Sequence, residues 1–239
     1  MIVAIHQPHY LPWLGYLHRM AQVDLFVVLD HVQFERRSYQ NRSQIRLDCE
    51  ARWLTVPVAQ RSQKESIVDK LVDNQDPRPW GTIHFSTLRH AYREAPHFQT
   101  YGAALRGILE ARWERLVELN RATLDFMRDA FEIRTPLVRS SELAAQGAKS
   151  DLILELCRAV GADTLLAGFG GSRRYLDAEA FARAGVRVEW HQFTHPTYQQ
   201  CGAQPFIAGL AAIDLLFNSG PRSRAVLLPD GVRSQLRAA

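Results

Sequence analysis

Cysteine is scarce in this chain of 239 residues: Cys49, Cys157 and Cys201 are its only thiols, they lie far apart, and no Cys-x-x-Cys pair occurs. That excludes a disulfide framework and points to reduced thiols in a cytoplasmic protein. No apolar run reaches the roughly 20 residues that a membrane span needs, and no basic stretch precedes a long apolar run at the N-terminus, so neither a span nor a leader is expected. The chain also lacks a Gly-x-Ser-x-Gly nucleophile turn, a Gly-x-Gly-x-x-Gly or Walker phosphate loop, internal repeats and low-complexity tracts. Blocks of one charge are absent as well. The formal charge of +4 is spread along the sequence, with Arg36/Arg37/Arg42 and Arg173/Arg174 as the only dense basic patches. Such a surface tolerates an anionic small molecule, and nucleic acid is not an expected partner.

What is present is the composition of an ordinary globule, 46% apolar and 23% charged, long enough to bury a large core. Ile2 to Ile5 is a short apolar run ended by a proline-containing loop, which predicts a buried strand. Apolar positions 13, 14, 17, 20 and 21 have helical spacing, and Pro12 stands where a helix begins. Asp24 to Leu29 is a second buried strand. Ser43 to Leu47 and Ala51 to Val58 suit a hairpin, and residues 61 to 75 a polar surface excursion. Residues 76 to 131 carry helical spacing throughout, opened by Pro79 and Trp80. Strands are then expected over Ile133 to Val138, Asp163 to Ala167 and Val186 to Trp190, alternating with helices over Ser150 to Val160, Ala178 to Ala184 and Phe206 to Phe217. The pattern predicts an α/β fold, doubly wound around a mostly parallel sheet. It forms a single domain over residues 1 to 220 with a helical insert at about 76 to 131, and an extended tail over 221 to 239.

Four loops at predicted strand ends gather the residues that could carry chemistry, because parallel sheets bind ligands outside the carboxyl ends of their strands. The first packs His6, Gln7, His9, Tyr10, Trp13 and Tyr16 together, mixing polar tips with aromatic faces that suit a ring-shaped ligand. Either His6 or His9 could serve as a general base, since imidazole titrates near neutral pH. The second offers Asp30 as a further catalytic candidate, with Gln40, Asn41 and Arg42 as binding groups; an arginine can grip carboxylate or phosphate through two parallel hydrogen bonds. The third, with Gly168, Gly170, Ser172, Arg174 and Tyr175, resembles an anion-binding nest of backbone N–H groups backed by cations. The fourth supplies Tyr198 and Gln200. It also holds His191 and His195, four apart, but Pro196 argues against a metal-binding helix there, and no metal site is expected.

Gly15-Tyr16-Leu17, a helix, and then Asp24-Leu25-Phe26-Val27-Val28 resemble the start of HIGH-type nucleotidyltransferases and pantothenate synthetases, with Tyr16 standing where those enzymes place a histidine. A wider resemblance runs through Gln7-Pro8 with Tyr10-Leu11-Pro12-Trp13-Leu14-Gly15-Tyr16, Leu29-Asp30 with Val32-Gln33, and Gln40-Asn41-Arg42 with Ile45. It continues through Trp53-Leu54-Thr55-Val56-Pro57, Ser140-Ser141, Gly168 with Tyr175-Leu176, Tyr198 with Gln200, and Asp214-Leu215-Leu216-Phe217-Asn218 with Gly220. On these residues the chain resembles the WbqC-like protein family. That resemblance implies work on surface-polysaccharide precursors of the O-antigen type or on amino sugars. The expected activity is acyl or aminoacyl transfer to a nucleotide-activated sugar or related metabolite, with an anionic or nucleotide-sugar ligand as partner. An ATP-dependent ligase or adenylyl transferase is the enzymatic alternative, and a non-catalytic ligand-binding subunit of a glycan-assembly complex is the other. The sequence names no cofactor and no oligomeric state.

Overall fold

A computed structural model describes residues 1–229 apart from Gln63, Phe169, Ala203 and Gln204, and leaves the side chains of Gly171 and Ser172 undescribed. Five strands, β1 (Ile2–His6), β2 (Leu25–Val28), β5 (Leu137–Arg139), β6 (Thr164–Ala167) and β7 (Arg187–Trp190), form one sheet in the order β5-β2-β1-β6-β7. Every pairing in it is parallel. A separate antiparallel hairpin joins β3 (Arg42–Leu47) to β4 (Glu50–Thr55), turning at Asp48 and Cys49, both at positive φ.

The chain is thus a mixed α/β fold with a parallel sheet flanked by helices. Successive side chains of a strand face opposite sides, and the core divides accordingly. Ala4, Phe26, Val28 and Leu166 bury against one set of partners, and Val3, Val27, Leu165 and Ala167 against another. The first face is covered by α1 (Leu14–Ala21), by the three helices α2 (Trp80–Tyr92), α3 (Phe98–Glu110) and α4 (Leu116–Ala130), and by α7 (Ile213–Ser219). The second is covered by α5 (Lys149–Ala159) and α6 (Ala178–Arg183), through Leu152, Leu156 and Phe181.

The strand order positions the site. From β1 the chain steps outward to β2 and β5, then returns to the opposite side of β1 as β6 and β7. The loops leaving β1 and β6 therefore diverge, one toward each face, and open a crevice at their carboxyl ends.

Four expectations are corrected. The strand over 133 to 138 shrinks to β5, because Pro136 has no N–H to give a ladder and pairing resumes only after it; its carbonyl accepts from the Phe26 N–H at 3.0 Å. The helix expected from Phe206 begins only at Ile213. Before it, Gly209 takes φ +78°, and Ala211 forms an isolated bridge to Trp13. The excursion over 61 to 75 is not simply surface, since Ile67 and Val72 are buried and the buried Lys70 pairs with the partly buried Glu65 at 2.8 Å. After Gly220 the chain is helical rather than extended through α8 (Ser223–Leu227), which Leu227 anchors in the core; residues 230 to 239 lie outside the described ones.

Candidate functional site

Where β1 and β6 end, the chain leaves through His6 and Gln7 on one side and Gly168 and Gly170 on the other. Between them lies a crevice of about 320 Å³, walled also by Arg19, Glu35 and Tyr175.

Arg19 dominates its electrostatics. It sits on α1, a helix buried along its whole length, and is only 4% exposed. Its guanidinium reaches the Ile5 carbonyl through Nη2 at 3.5 Å, and no carboxylate among the described residues pairs with it. Burial pulls its pKa from 12.5 down to about 10, so it stays charged at neutral pH. A Cβ on Gly168 would come within 2.4 Å of Nη1, so only glycine lets the strand end approach the cation this closely. A buried charge is costly unless something offsets it. Among the described residues its near neighbours include the phenols of Tyr16 and Tyr175, and Glu35 lines the same crevice without pairing with it.

Beside this cation lies a cluster of rings. His6 and His9 meet edge to face at 4.6 Å, Tyr16 packs on both at 4.8 and 5.0 Å, and Tyr39 stacks on His9 at 5.3 Å. The His9 Nδ1 and the Tyr16 hydroxyl are buried with no hydrogen-bond partner among the described residues. Burial, with the Arg19 charge, pushes His9 down to about 3 and His6 well below its ordinary value. Both imidazoles are therefore neutral near pH 7. The His6 Nδ1 lies 2.9 Å from the Gln7 carbonyl oxygen. A carbonyl only accepts, so Nδ1 carries the proton and Nε2 keeps a lone pair for a proton from elsewhere. Burial is the larger cause of that lowering, and an anion beside Arg19 would offset the smaller part due to its charge and make His6 a better base.

Of the residues singled out from the sequence, His6, Gln7, Gly168, Gly170 and Tyr175 line the crevice, and His9 and Tyr16 stand behind it. Others are placed differently. Asp30 is fully buried, and its carboxylate accepts from Arg139 Nε at 2.7 Å, from both Oγ and N–H of Ser141 at 2.9 Å, and from Ser140 Oγ at 3.1 Å. Those donors occupy it fully, so it clamps the end of β2 to the segment after β5 and has no lone pair to spare for base chemistry. Gln40 bridges loops, donating to Gln7 Oε1 and accepting from the Glu35 N–H, both at 2.9 Å; it thereby positions two crevice residues. Asn41 donates to the Val56 carbonyl at 2.9 Å. Arg42 lies over the exposed Trp53 ring at 4.0 Å and donates to the Arg37 carbonyl. Tyr10 is a core residue bonded to His84 Nδ1 at 2.9 Å, and Trp13 packs on Phe193 at 5.4 Å. Tyr198 and Gln200 both donate to the buried Asp214, at 2.7 and 2.9 Å, which also accepts from Tyr92. This network ties the loop after β7 to α7. Arg174 is exposed on the short helical turn after Gly170, and the Ser172 side chain lies outside the described residues.

Arg19 and Glu35 are the crevice residues that sequence reasoning missed. Helical spacing put Arg19 on the polar side of α1, which signals solvent. The side chain instead turns to the strand ends, where the Ile5 carbonyl and Gly168 meet it, while the loop after β7 packs on its neighbour His18 through His191 and Phe193. Its cue was a helix carrying two basic residue types, His18 and Arg19, directly after the first strand. Among the described residues no group of three or more His, Cys, Asp or Glu is arranged to hold a metal ion, and no helix is long and apolar enough to cross a membrane.

A model of the WbqC-like protein family matches residues 7–226. The uncharacterized protein Rv1507c of Mycobacterium tuberculosis is 31% identical over 223 residues, spanning 91% of this chain and 94% of that protein. No solved structure matches.

Proposed function

The chain belongs to the WbqC-like protein family, and on that premise we propose that it is a cytoplasmic transferase whose crevice binds a phosphate-bearing small molecule. The ligand class is a nucleotide-activated sugar or related metabolite of surface-polysaccharide or amino-sugar precursor synthesis, and the reaction is acyl or aminoacyl transfer. The observation that carries this reading is Arg19, a buried guanidinium with no carboxylate partner among the described residues, facing a crevice at the ends of β1 and β6. An anionic ligand supplies the missing counter-charge, and Arg19 is suited to grip two phosphate oxygens at once. Gly168 and Gly170 give such a group close access to backbone, and Tyr175 offers a ring and a hydroxyl at the mouth. With the anion in place, the free Nε2 of His6 takes the proton of the attacking amine or hydroxyl.

The test is isothermal titration with inorganic pyrophosphate, a nucleotide sugar and the unphosphorylated sugar, on the native chain and on Arg19→Met. Binding of the phosphorylated ligands alone, lost in the variant, is the expected result. Equal binding of all three, or full retention in the variant, refutes it. The strand order favours one alternative: a β1/β6 crevice also suits adenylyl transfer. That reading predicts a rise in melting temperature with ATP and magnesium that pyrophosphate alone does not reproduce.

A further inference from the structure

The crevice that holds the unpaired Arg19 also carries a carboxylate on its wall, Glu35. Opposite charges lining so small a space attract each other. Glu35 nevertheless forms no ion pair with Arg19 or with its chain neighbours Arg36 and Arg37, and its carboxylate accepts no hydrogen bond, among the described residues. The segment that bears it is fixed from behind. Gln40, fully buried, accepts from the Glu35 N–H through Oε1 and donates through Nε2 to Gln7 Oε1, both at 2.9 Å, while Ser38 Oγ donates to the Glu35 carbonyl at 2.7 Å. A glutamine side chain is buried completely only where its bonds are met, and this one meets them by tying Glu35 to another wall of the same crevice. Tyr175, at the mouth, feels both charges: burial raises its phenol, Arg19 lowers it and Glu35 raises it. Glu35 also lines a wider depression of about 750 Å³, so it stands where the crevice opens outward.

A carboxylate in that place works against a ligand that is only an anion. Phosphate on Arg19 brings further negative charge beside Glu35, and like charges in a partly dry site repel. The conflict disappears when the ligand brings a cation of its own. We propose that Glu35 selects ligands carrying a protonated primary amine as well as a phosphate, with the amine against Glu35 and the phosphate on Arg19. Glu35 then acts in two ways, attracting the amine-bearing ligand and turning away phosphates that lack one. The substrate class narrows from phosphate esters in general to amine-bearing phosphate esters, an inference that rests on the phosphate reading of this crevice. An amine so held shares the crevice with His6, the base assigned to take its proton.

The experiment is isothermal titration at pH 7 and low salt, where charge effects are least screened. It compares two matched pairs of probes, aminoethyl phosphate with ethyl phosphate and aminobutyl phosphate with butyl phosphate, on the native chain, on Glu35→Gln and on Arg19→Met. Glu35 is exposed, so Glu35→Gln is expected to melt with the native chain. On the native chain the amine-bearing member of at least one pair should bind about fivefold tighter than its counterpart. Glu35→Gln should move the two in opposite directions, weakening the aminoalkyl phosphate and tightening the alkyl phosphate until they agree within about twofold. A distorted crevice would weaken both, so the opposed shifts report the charge itself. Arg19→Met should abolish binding of both. An aminoalkyl phosphate that binds no tighter in either pair, or a preference that survives Glu35→Gln, overturns the proposal. If the alkyl phosphates bind through Arg19 with no preference for the amine, the phosphate reading stands and the role of Glu35 falls; if no probe binds the native chain, both fall.

Discussion

Replacing Arg19 by methionine should stabilise the ligand-free protein while abolishing its capture of phosphate. Burial lowers the Arg19 pKa from 12.5 to about 10. That fall corresponds to ~3 kcal/mol by which the charged form is disfavoured in the folded chain. Methionine keeps most of the stem's packing and removes the charge; with about 1 kcal/mol allowed for imperfect fit, the net gain is ~2 kcal/mol. At 2–4 °C per kcal/mol for a chain of this size, the melting temperature should rise by about 4–8 °C. Pyrophosphate at about 100 times its Kd adds ~2.7 kcal/mol to the native chain and nothing to the variant. Urea denaturation with and without pyrophosphate measures both quantities. A variant destabilised by ~3 kcal/mol or more would behave like a buried ion pair with one partner removed. That result would mean that Arg19 has a counter-charge of its own, and the case for a ligand there would be refuted.

Gly168→Ala drives a methyl into the space of Arg19 Nη1, 2.4 Å away; pyrophosphate affinity should fall about tenfold as the guanidinium is displaced, and unchanged affinity would show that the cation does not need its observed place. Asp30→Asn removes a fully buried charge that accepts from Arg139, Ser140 and Ser141, and should cost ~3 kcal/mol in urea unfolding; a loss of activity without loss of stability would instead argue for a chemical role. His9 and His191 are pushed by burial to about 3, and His18 and His84 to about 4. Their folded values lie below the ordinary 6.5, so the unfolded chain binds protons first on acidification; stability is complete above pH 6.5 and falls as pH drops toward 4, by up to ~1.4 kcal/mol per pH unit for each histidine. A urea midpoint that stays flat from pH 6.5 to 4.5 would contradict that burial.

Much of the architecture was legible because strands and helices here obey local rules. Val3, Val27 and Leu165 lie in short apolar runs bounded by turns, and the helices from Trp80 to Ala130 keep their spacing. The failures have local causes that periodicity does not carry: Pro136 shortens β5, and Gly209 delays α7. For the candidate site, the strand-end loops converge, and His6, Gln7, Gly168, Gly170 and Tyr175 line one crevice there. Polar residue type did not separate ligand-facing groups from internal braces. Tyr198 and Gln200 spend their hydrogen bonds on Asp214, and Asp30 spends its own on the segment after β5. Arg19 escaped notice because its burial rests on tertiary contacts with Ile5 and Gly168, at the ends of β1 and β6, which helical spacing does not carry.

The central claim is that the crevice at the ends of β1 and β6 holds a phosphate-bearing ligand on Arg19. A crystal structure of the protein saturated with inorganic pyrophosphate tests it most directly. The account predicts phosphoryl oxygens at about 2.8 Å from the guanidinium nitrogens, in hydrogen-bond range, beside Gly168 and within reach of His6. Pyrophosphate bound elsewhere, with Arg19 and the crevice left unchanged at saturation, would contradict it.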